Sequence, residues 1–592
     1  MNREPAQHLS RARRLHRGGQ TAEAEASYRS YLDLVPGDAE VWSELAGHLL
    51  SHGRLQDAEA ACGAALAADS ACAAARVNRG LLLLRRNRTA EAGECFRALQ
   101  EEVDPRPDVL LGLAECHLKQ VDPAGARVLL EGLDAAPPPG LGTLAGWHGN
   151  LWAQVGSAHW EARQTEAAVE AYRRAVRIDP THFMAHANIG AVRMAQGSLG
   201  EAEELFRGLL HRFPGRAEAR LLLITCLARA GAMADADREI AAVLRQAPAS
   251  FAVHRSLMGV YYAHGRWDDY RAELARYREV APGSAHAEYE ESFADLLHGD
   301  FRAGWAHYEA RRRIPSDLRP QRTFACPEWD GSPFAGKTLL VWPEQGFGDT
   351  LMFVRYLPLV KALGGTVLLE VQATLADLAA TCAGADLVIP EGVVPPPFDL
   401  HVPLLSLPHL FGTDLDTIPA DIPYLRVPDE VPHREALQAQ LDLAGDRVRI
   451  GLVWAGRPTH GRDAERSLAA DSLGEWGAIP GVAWFCFQLG RPEQPPLPHP
   501  INLAPWLGDF SDTAFALSQM DLLITVDTAL AHLAGALGVP ALVLLSHQPD
   551  FRWLLDRDDT PWYPTLRLYR QPAYGDWASV VHRIAGDLAG EA

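Results

Sequence analysis

Four prolines, Pro180, Pro214, Pro248 and Pro282, stand 34 residues apart, and each closes a stretch patterned as two short amphipathic helices. A helical hairpin of that length has one apolar face and too little chain to bury it alone. Such units are stable only when stacked, so a fixed period near 34 predicts a solenoid rather than a single globular core. The period reaches back toward the start, since Ser70 lies 34 residues after Pro36 and Pro105 closes a further unit. A proline-rich break at Pro137–Gly140 interrupts the phase before it resumes near Trp147.

Within the unit that ends at Pro180, Trp152, Gly156, Ala168, Tyr172 and Ala175 alternate large and small. The following unit repeats this with Gly190, Ala202, Phe206 and Pro214, and an early one with Trp42, Ala46, Gly53, Ala58 and Ala65. Small residues let two helices of a hairpin approach closely, and the large ones plug the gap to the next hairpin. The pattern resembles the tetratricopeptide repeat. About eight helix pairs are expected, plus a terminal pair over Ala285–Arg313. Arrays of this kind use a concave face to hold a polypeptide. Tyr261, Tyr262 and His254 can line such a face, although interhelix packing is the commoner use of such residues.

From Lys337 the period changes. "KTLLVW", "TVLLEV" and "DLVIP" read as strands separated by helical stretches, and "FDLHVPLLSLPHL" follows them. After a proline-rich crossing near "IPADIPYLRVP", a second alternating set begins at "VRIGLVWAG" and runs to the last helix, "DWASVVHRIAGDLAG". Two successive βα sets predict two mainly parallel sheets with ligands at the carboxyl ends of their strands. The expected organisation is a repeat array over 1–315, then one α/β lobe over 316–432 and a second over 433–592. In class it is an α-solenoid followed by a compact GT-B module of two Rossmann-like lobes.

Three segments give that expectation a family. "DLLITVDTALAHLAGALGVPALVLL" resembles the carboxyl-terminal signature of the glycosyltransferases that include the lipopolysaccharide heptosyltransferases. "GFGDTLMFVRYLPLV" is similar to the first loop and helix of the same enzymes, and "GRDAERSLAADSLGEW" to the stretch that supplies a cationic phosphate contact. The tail "PDFRWLLDRDDTPWYPTLRLYRQ" resembles a bacterial subgroup in which tetratricopeptide repeats precede the transferase, flagellin glycosyltransferases among them. The resemblance implies a metal-independent protein O-glycosyltransferase, inverting as its relatives are, with flagellin the favoured acceptor. It also implies a nucleotide-activated donor as substrate and no bound cofactor. That donor is CMP-linked, carrying a nonulosonic acid, or linked through a diphosphonucleotide.

The residues support specific roles. Asp527 ends an apolar strand, and Thr528 and Ala529 open the next helix, whose free N–H groups and partial positive charge suit phosphate oxygens. His532 lies one turn on and can face the same ligand; equally, Thr528 can be a helix cap and His532 a core residue. Gly346 and Gly348 allow a tight turn and a close approach before Asp349. The resemblance implies that Asp349 is the general base toward the acceptor hydroxyl, work suited to a carboxylate. Capping the helix that follows would use the same position. Arg466 and Ser467 stand where the relatives carry a lysine near the donor phosphates, and an arginine can neutralise the leaving group without a metal. Gln488 ends a strand at a place suited to the base. Glu344, Gln345, Arg457 and His460 are secondary contacts, and Arg552 and Trp553 near the rim are donor contacts or, the preferred reading, packing. No GxGxxG or GxxxxGK[ST] occurs, which excludes the usual dinucleotide and P-loop sites.

Charge and cysteine content narrow the partners. The net charge is −20, and the residues after Pro315 carry 18 Lys and Arg against 34 Asp and Glu. Neither half has the basic footprint of a nucleic-acid or membrane-surface binder. Eight scattered cysteines without a CxxC argue against disulfides or zinc. The first ten residues lack the apolar core of a secretory signal, and no stretch reads as a membrane span, so a cytoplasmic setting is expected. The rival reading is a non-catalytic scaffold in which repeats bind a partner and a degenerate transferase half stabilises the complex.

Overall fold

A computed structural model describes residues 3–102, 106–138, 140–314, 322–457, 463–491 and 493–590. The boundary near Pro315 and the side chain of His460 lie outside these. The chain forms two compact units, Met1–Ala230 and Gly231–Ala592.

The first unit is helical hairpins, from Arg3–Arg17 paired with Thr21–Leu34 onward to Ala217–Arg229. The repeat pattern is visible as packing. A Cβ on Gly156 would meet the Tyr172 ring at 2.7 Å, and one on Gly190 the Phe206 ring at 2.5 Å. Ala168, Ala175 and Ala202 are fully buried. Small residues therefore stand where an aromatic ring of the same hairpin presses against the neighbouring backbone. At the break after Pro137, Gly140 adopts φ 88°, and a 3-10 turn at Leu141–Leu144 leads into the long helix Ala145–Glu161.

The second unit begins with more hairpin helices and continues into two α/β lobes. Counting both units, the described residues hold sixteen helices of repeat length and a terminal pair, Ala285–Leu297 with Phe301–Tyr308. The first lobe has a four-stranded parallel sheet of β1 (Thr338–Trp342), β2 (Thr366–Val371), β3 (Leu387–Pro390) and β4 (Leu400–Pro403), in the order β3-β2-β1-β4. Leu340 pairs with Leu368 on one side and His401 on the other. The second lobe has six parallel strands, β5 (Val448–Val453), β6 (Val482–Cys486), β7 (Ile501–Asn502), β8 (Leu522–Val526), β9 (Ala541–Leu545) and β10 (Leu566–Arg570). Their order, β10-β9-β8-β5-β6-β7, is the doubly wound Rossmann order, with the chain reversing direction across the sheet between β5 and β8. The central strands read as apolar runs because helices cover both faces. β7 and β10 were not legible as strands. β7 has two residues, and β10, at the sheet edge, mixes Arg567 and Arg570 with Leu566, Leu568 and Tyr569 in place of a continuous apolar run.

The last repeat helices share one core with the lobes. Trp305, 1% exposed, lies with its ring 5.6 Å from Phe353, 5.7 Å from Phe551 and 6.4 Å from Trp562. Tyr261 and His254 are buried, His254 bonding Glu273 at 2.5 Å, while Tyr262 donates to the Pro549 carbonyl at 2.9 Å. All three are packing residues.

Candidate functional site

In a doubly wound sheet, ligands bind beyond the carboxyl ends of the strands, where the strand order reverses. In the first lobe that point lies between β1 and β4, and the loop after β1 carries "PEQGFGDT". In the second lobe it lies between β5 and β8, and the loop after β8 carries Asp527 and Thr528. Both motifs singled out in the sequence thus occupy switch points.

The two points adjoin. Gly346 caps the short helix Phe347–Phe353, and its N–H donates to Asp349 Oδ2 at 2.9 Å. Thr528 caps the helix Ala529–Leu537 through Leu530 N–H at 3.3 Å, and its hydroxyl lies 3.1 Å from that of Thr525. These helices press on each other at Gly348, where a Cβ would stand 2.9 Å from His532 Cδ2 and 3.6 Å from Ala529 Cα. Gly348 is therefore required by the approach of one lobe to the other. The rings of Phe347 and Phe510 add a second contact, 5.1 Å apart.

Arg552 ties the lobes electrostatically. It lies in the turn Phe551–Trp553 after β9 and is 8% exposed. Its Nη1 donates to Asp550 Oδ1 at 2.6 Å, and its Nη2 bonds Asp349 Oδ1 in the first lobe. Burial opposes the charge, but Asp550 and Asp349 outweigh it and hold the guanidinium firmly protonated. Packing is the preferred sequence reading of Arg552; its ion pair with Asp349 could not be read from positions 203 residues apart.

Behind Arg552, Trp553 stacks on His532 with centroids 5.3 Å apart, and His532 Nδ1 is 3.0 Å from the Tyr563 hydroxyl. Burial, with Arg552 adding to it, lowers the His532 pKa to about 3. The imidazole is therefore neutral in the folded protein. An unfolded histidine titrates near about 6.5, so below that pH the unfolded chain takes up a proton that the folded one refuses. Stability is expected to fall as pH drops from about 6.5 toward the folded value and to be flat above it. Acid titration of the unfolding free energy checks this, and His532→Gln should flatten the acid limb. Burial, followed by the nearby charge of Asp550, raises the Asp527 carboxyl, with Arg466, Trp553 and Arg552 opposing.

The remaining predicted residues divide. Arg466 reaches the switch point, its Nη1 donating to the Asp527 carbonyl at 3.0 Å. It fits because residue 456 is glycine; a Cβ there would lie 2.7 Å from Arg466 Nη2. Ser467 is turned away from any ligand: its hydroxyl accepts from Gly456 N–H at 3.0 Å and donates to Asp463 at 2.9 Å. Asp463 in turn binds Arg491 at 2.8 Å, so this trio shapes the loop that presents Arg466. Gln488 is also occupied. Its Oε1 accepts from Trp454 and Ala455 N–H, and its Nε2 donates to the Ala455 and Leu489 carbonyls, all within 3.2 Å. It clamps the ends of β5 and β6 and has no group left for a nucleobase. Arg457 is exposed.

Glu344 and Gln345 face the repeats instead of the second lobe. Glu344 accepts from Arg311 Nη2 at 2.6 Å, and Gln345 Nε2 donates to the Tyr308 hydroxyl at 2.8 Å. Arg311 also donates to Glu309 and to the Ser406 hydroxyl. Burial disfavours its charge, yet Glu344 and Glu309 more than offset that.

Comparison with known proteins agrees with the helical part. Models described as tetratricopeptide repeat match residues 9–71, 49–107, 77–139 and 155–217, and another of that description matches 193–260. The array is built of tetratricopeptide repeats. Protein FlbA of Caulobacter vibrioides is 28% identical over 347 residues, covering 52% of this chain and 56% of that protein. The chain therefore spans about half the length of that curated relative. A glycosyl transferase family 9 structure from Veillonella parvula is 13% identical, aligns with 44% of this chain and 99% of its own, and has a TM-score of 0.32. The Cut9–Hcn1 structure of the APC/C is 17% identical, covers 38% of this chain and 43% of its own, and has a TM-score of 0.33. No described helix is long and apolar enough to cross a membrane.

Proposed function

We propose that this protein is a glycosyltransferase that moves a sugar from a nucleotide-activated donor to a Ser or Thr hydroxyl of a protein held by the repeats. One observation supports the reading: the switch points of two Rossmann-like lobes abut, with the helix that carries Asp349 pressed at Gly348 against the helix that Thr528 caps. In this reading Asp349 takes the acceptor proton. The leaving phosphate is held by Arg466 and by the amide hydrogens at the start of Ala529–Leu537, helped by Thr528, with no metal required. Asp527 and His532 complete the wall, and Gly346 and Gly348 admit the first lobe. Inversion at the anomeric carbon and flagellin as acceptor are the favoured specifics, on the family resemblance, with the donor either CMP-linked, carrying a nonulosonic acid, or linked through a diphosphonucleotide. Cytoplasmic chemistry on a protein acceptor suits them.

A second reading is favoured by a specific observation, that Asp349 and Arg552 satisfy each other. A binding scaffold with a self-neutralised transferase half would look the same. Thermal denaturation of the full chain with CMP, UDP, GDP or ADP separates the two. A nucleotide at 100 times its Kd stabilises the fold by about 2.7 kcal/mol, so the transferase reading expects a clear shift with at least one. A flat response to all four favours the scaffold.

A further inference from the structure

Resting on the transferase reading, we propose that Arg552 is the residue that receives the donor's anionic group, and that this group displaces Asp349 from it. Arg552 is almost completely buried and gives its two terminal nitrogens to one carboxylate from each lobe. A guanidinium so engaged already carries an excess of negative charge around it, and a phosphate cannot join without one carboxylate leaving. The two carboxylates are not equally held. Asp550 lies two residues from Arg552 and also accepts its backbone N–H at 3.1 Å, so it moves with the arginine. Asp349 comes from the other lobe, and when released it keeps its bond from Gly346 N–H at 2.9 Å. Asp349 is the partner that yields.

The exchange leaves Asp349 Oδ1 without a partner and pointed at the place where the donor has bound. It then takes the proton of the acceptor hydroxyl as that oxygen forms its bond to the anomeric carbon. The anomeric carbon–oxygen bond to phosphate breaks, and its electron pair goes to the phosphate oxygen, which Arg552 and Arg466 face. The base is thus silenced by an ion pair until donor is present, which imposes binding of donor before acceptor.

Isothermal titration of the full-length protein with CMP, UDP, GDP and ADP tests this. For whichever nucleotide the wild type binds, Arg552→Gln is expected to weaken affinity by about tenfold or more, with Arg552→Lys recovering part of the loss. Asp349→Asn is expected to bind the same nucleotide about threefold or more tightly, because the competing carboxylate is gone. General damage to the site does not tighten binding, so the Asp349 variant decides even if the Arg552 variants fail to fold. Unchanged affinity in Arg552→Gln, or unchanged or weaker affinity in Asp349→Asn, overturns the inference while leaving the transferase reading intact. Failure of the wild type to bind any of the four overturns both.

Discussion

Asp349→Asn is expected to lower the rate of sugar transfer by about 10²–10⁴-fold, the range supplied by a positioned general base. The substitution is chosen because it changes the chemistry with little change of shape. The Asn side-chain oxygen can still accept from Gly346 N–H, so the cap on the helix Phe347–Phe353 survives. What is lost is the ability to take a proton and the ion pair to Arg552, whose charge still has Asp550. Folding should therefore be nearly preserved, with the loss read in turnover and not in stability. Single-turnover transfer to an acceptor protein, followed by intact-mass measurement, reads it directly. Transfer at the wild-type rate would remove Asp349 from the chemistry.

Trp305→Ala is expected to have the largest effect on stability, about 3–5 kcal/mol, the usual result of emptying a buried tryptophan site. The ring sits among Phe301, Tyr308, Phe353, Phe551 and Trp562, with centroid separations of 5.6 to 6.4 Å. These come from the last repeat helix, the first lobe and the second lobe, so no single element can close the gap. Denaturant unfolding of the variant should show an early transition in residues 231–592, and Trp305→Phe should recover much of the loss. A change below about 1 kcal/mol would mean that the cluster collapses around the vacancy more completely than cores usually do.

The 34-residue period located the hairpins because each obeys the same local rule, seen in the clash that a side chain on Gly156 or Gly190 would cause. The two α/β lobes were legible for the same reason: apolar strands alternate with helices, and Gly and Pro mark the joins. The site was partly legible. Gly348, Asp349, Arg466, Thr528 and His532 converge, and they lie in loops that directly follow strands, where sequence order and spatial position agree. Ser467 and Gln488 did not join them. Sequence gives a polar residue's address but not its rotamer, and backbone groups nearby had already claimed both. Asp550 and the pairing of Arg552 with Asp349 were missed because the arginine's partner lies on the opposite lobe. Arg311 and Tyr308 were missed because a terminal helix was expected only to cap the array.

That last helix has a practical meaning for anyone wishing to retarget the protein. Grafting foreign repeats in place of residues 1–214 leaves the aromatic cluster around Trp305, the Arg311–Glu344 bond and the Tyr262–Pro549 bond whole. A splice made after Arg313, where the helices end on paper, would cut through all three. The natural seam for chimeras is Pro214, where one repeat ends, and the final hairpins travel with the chemistry they support.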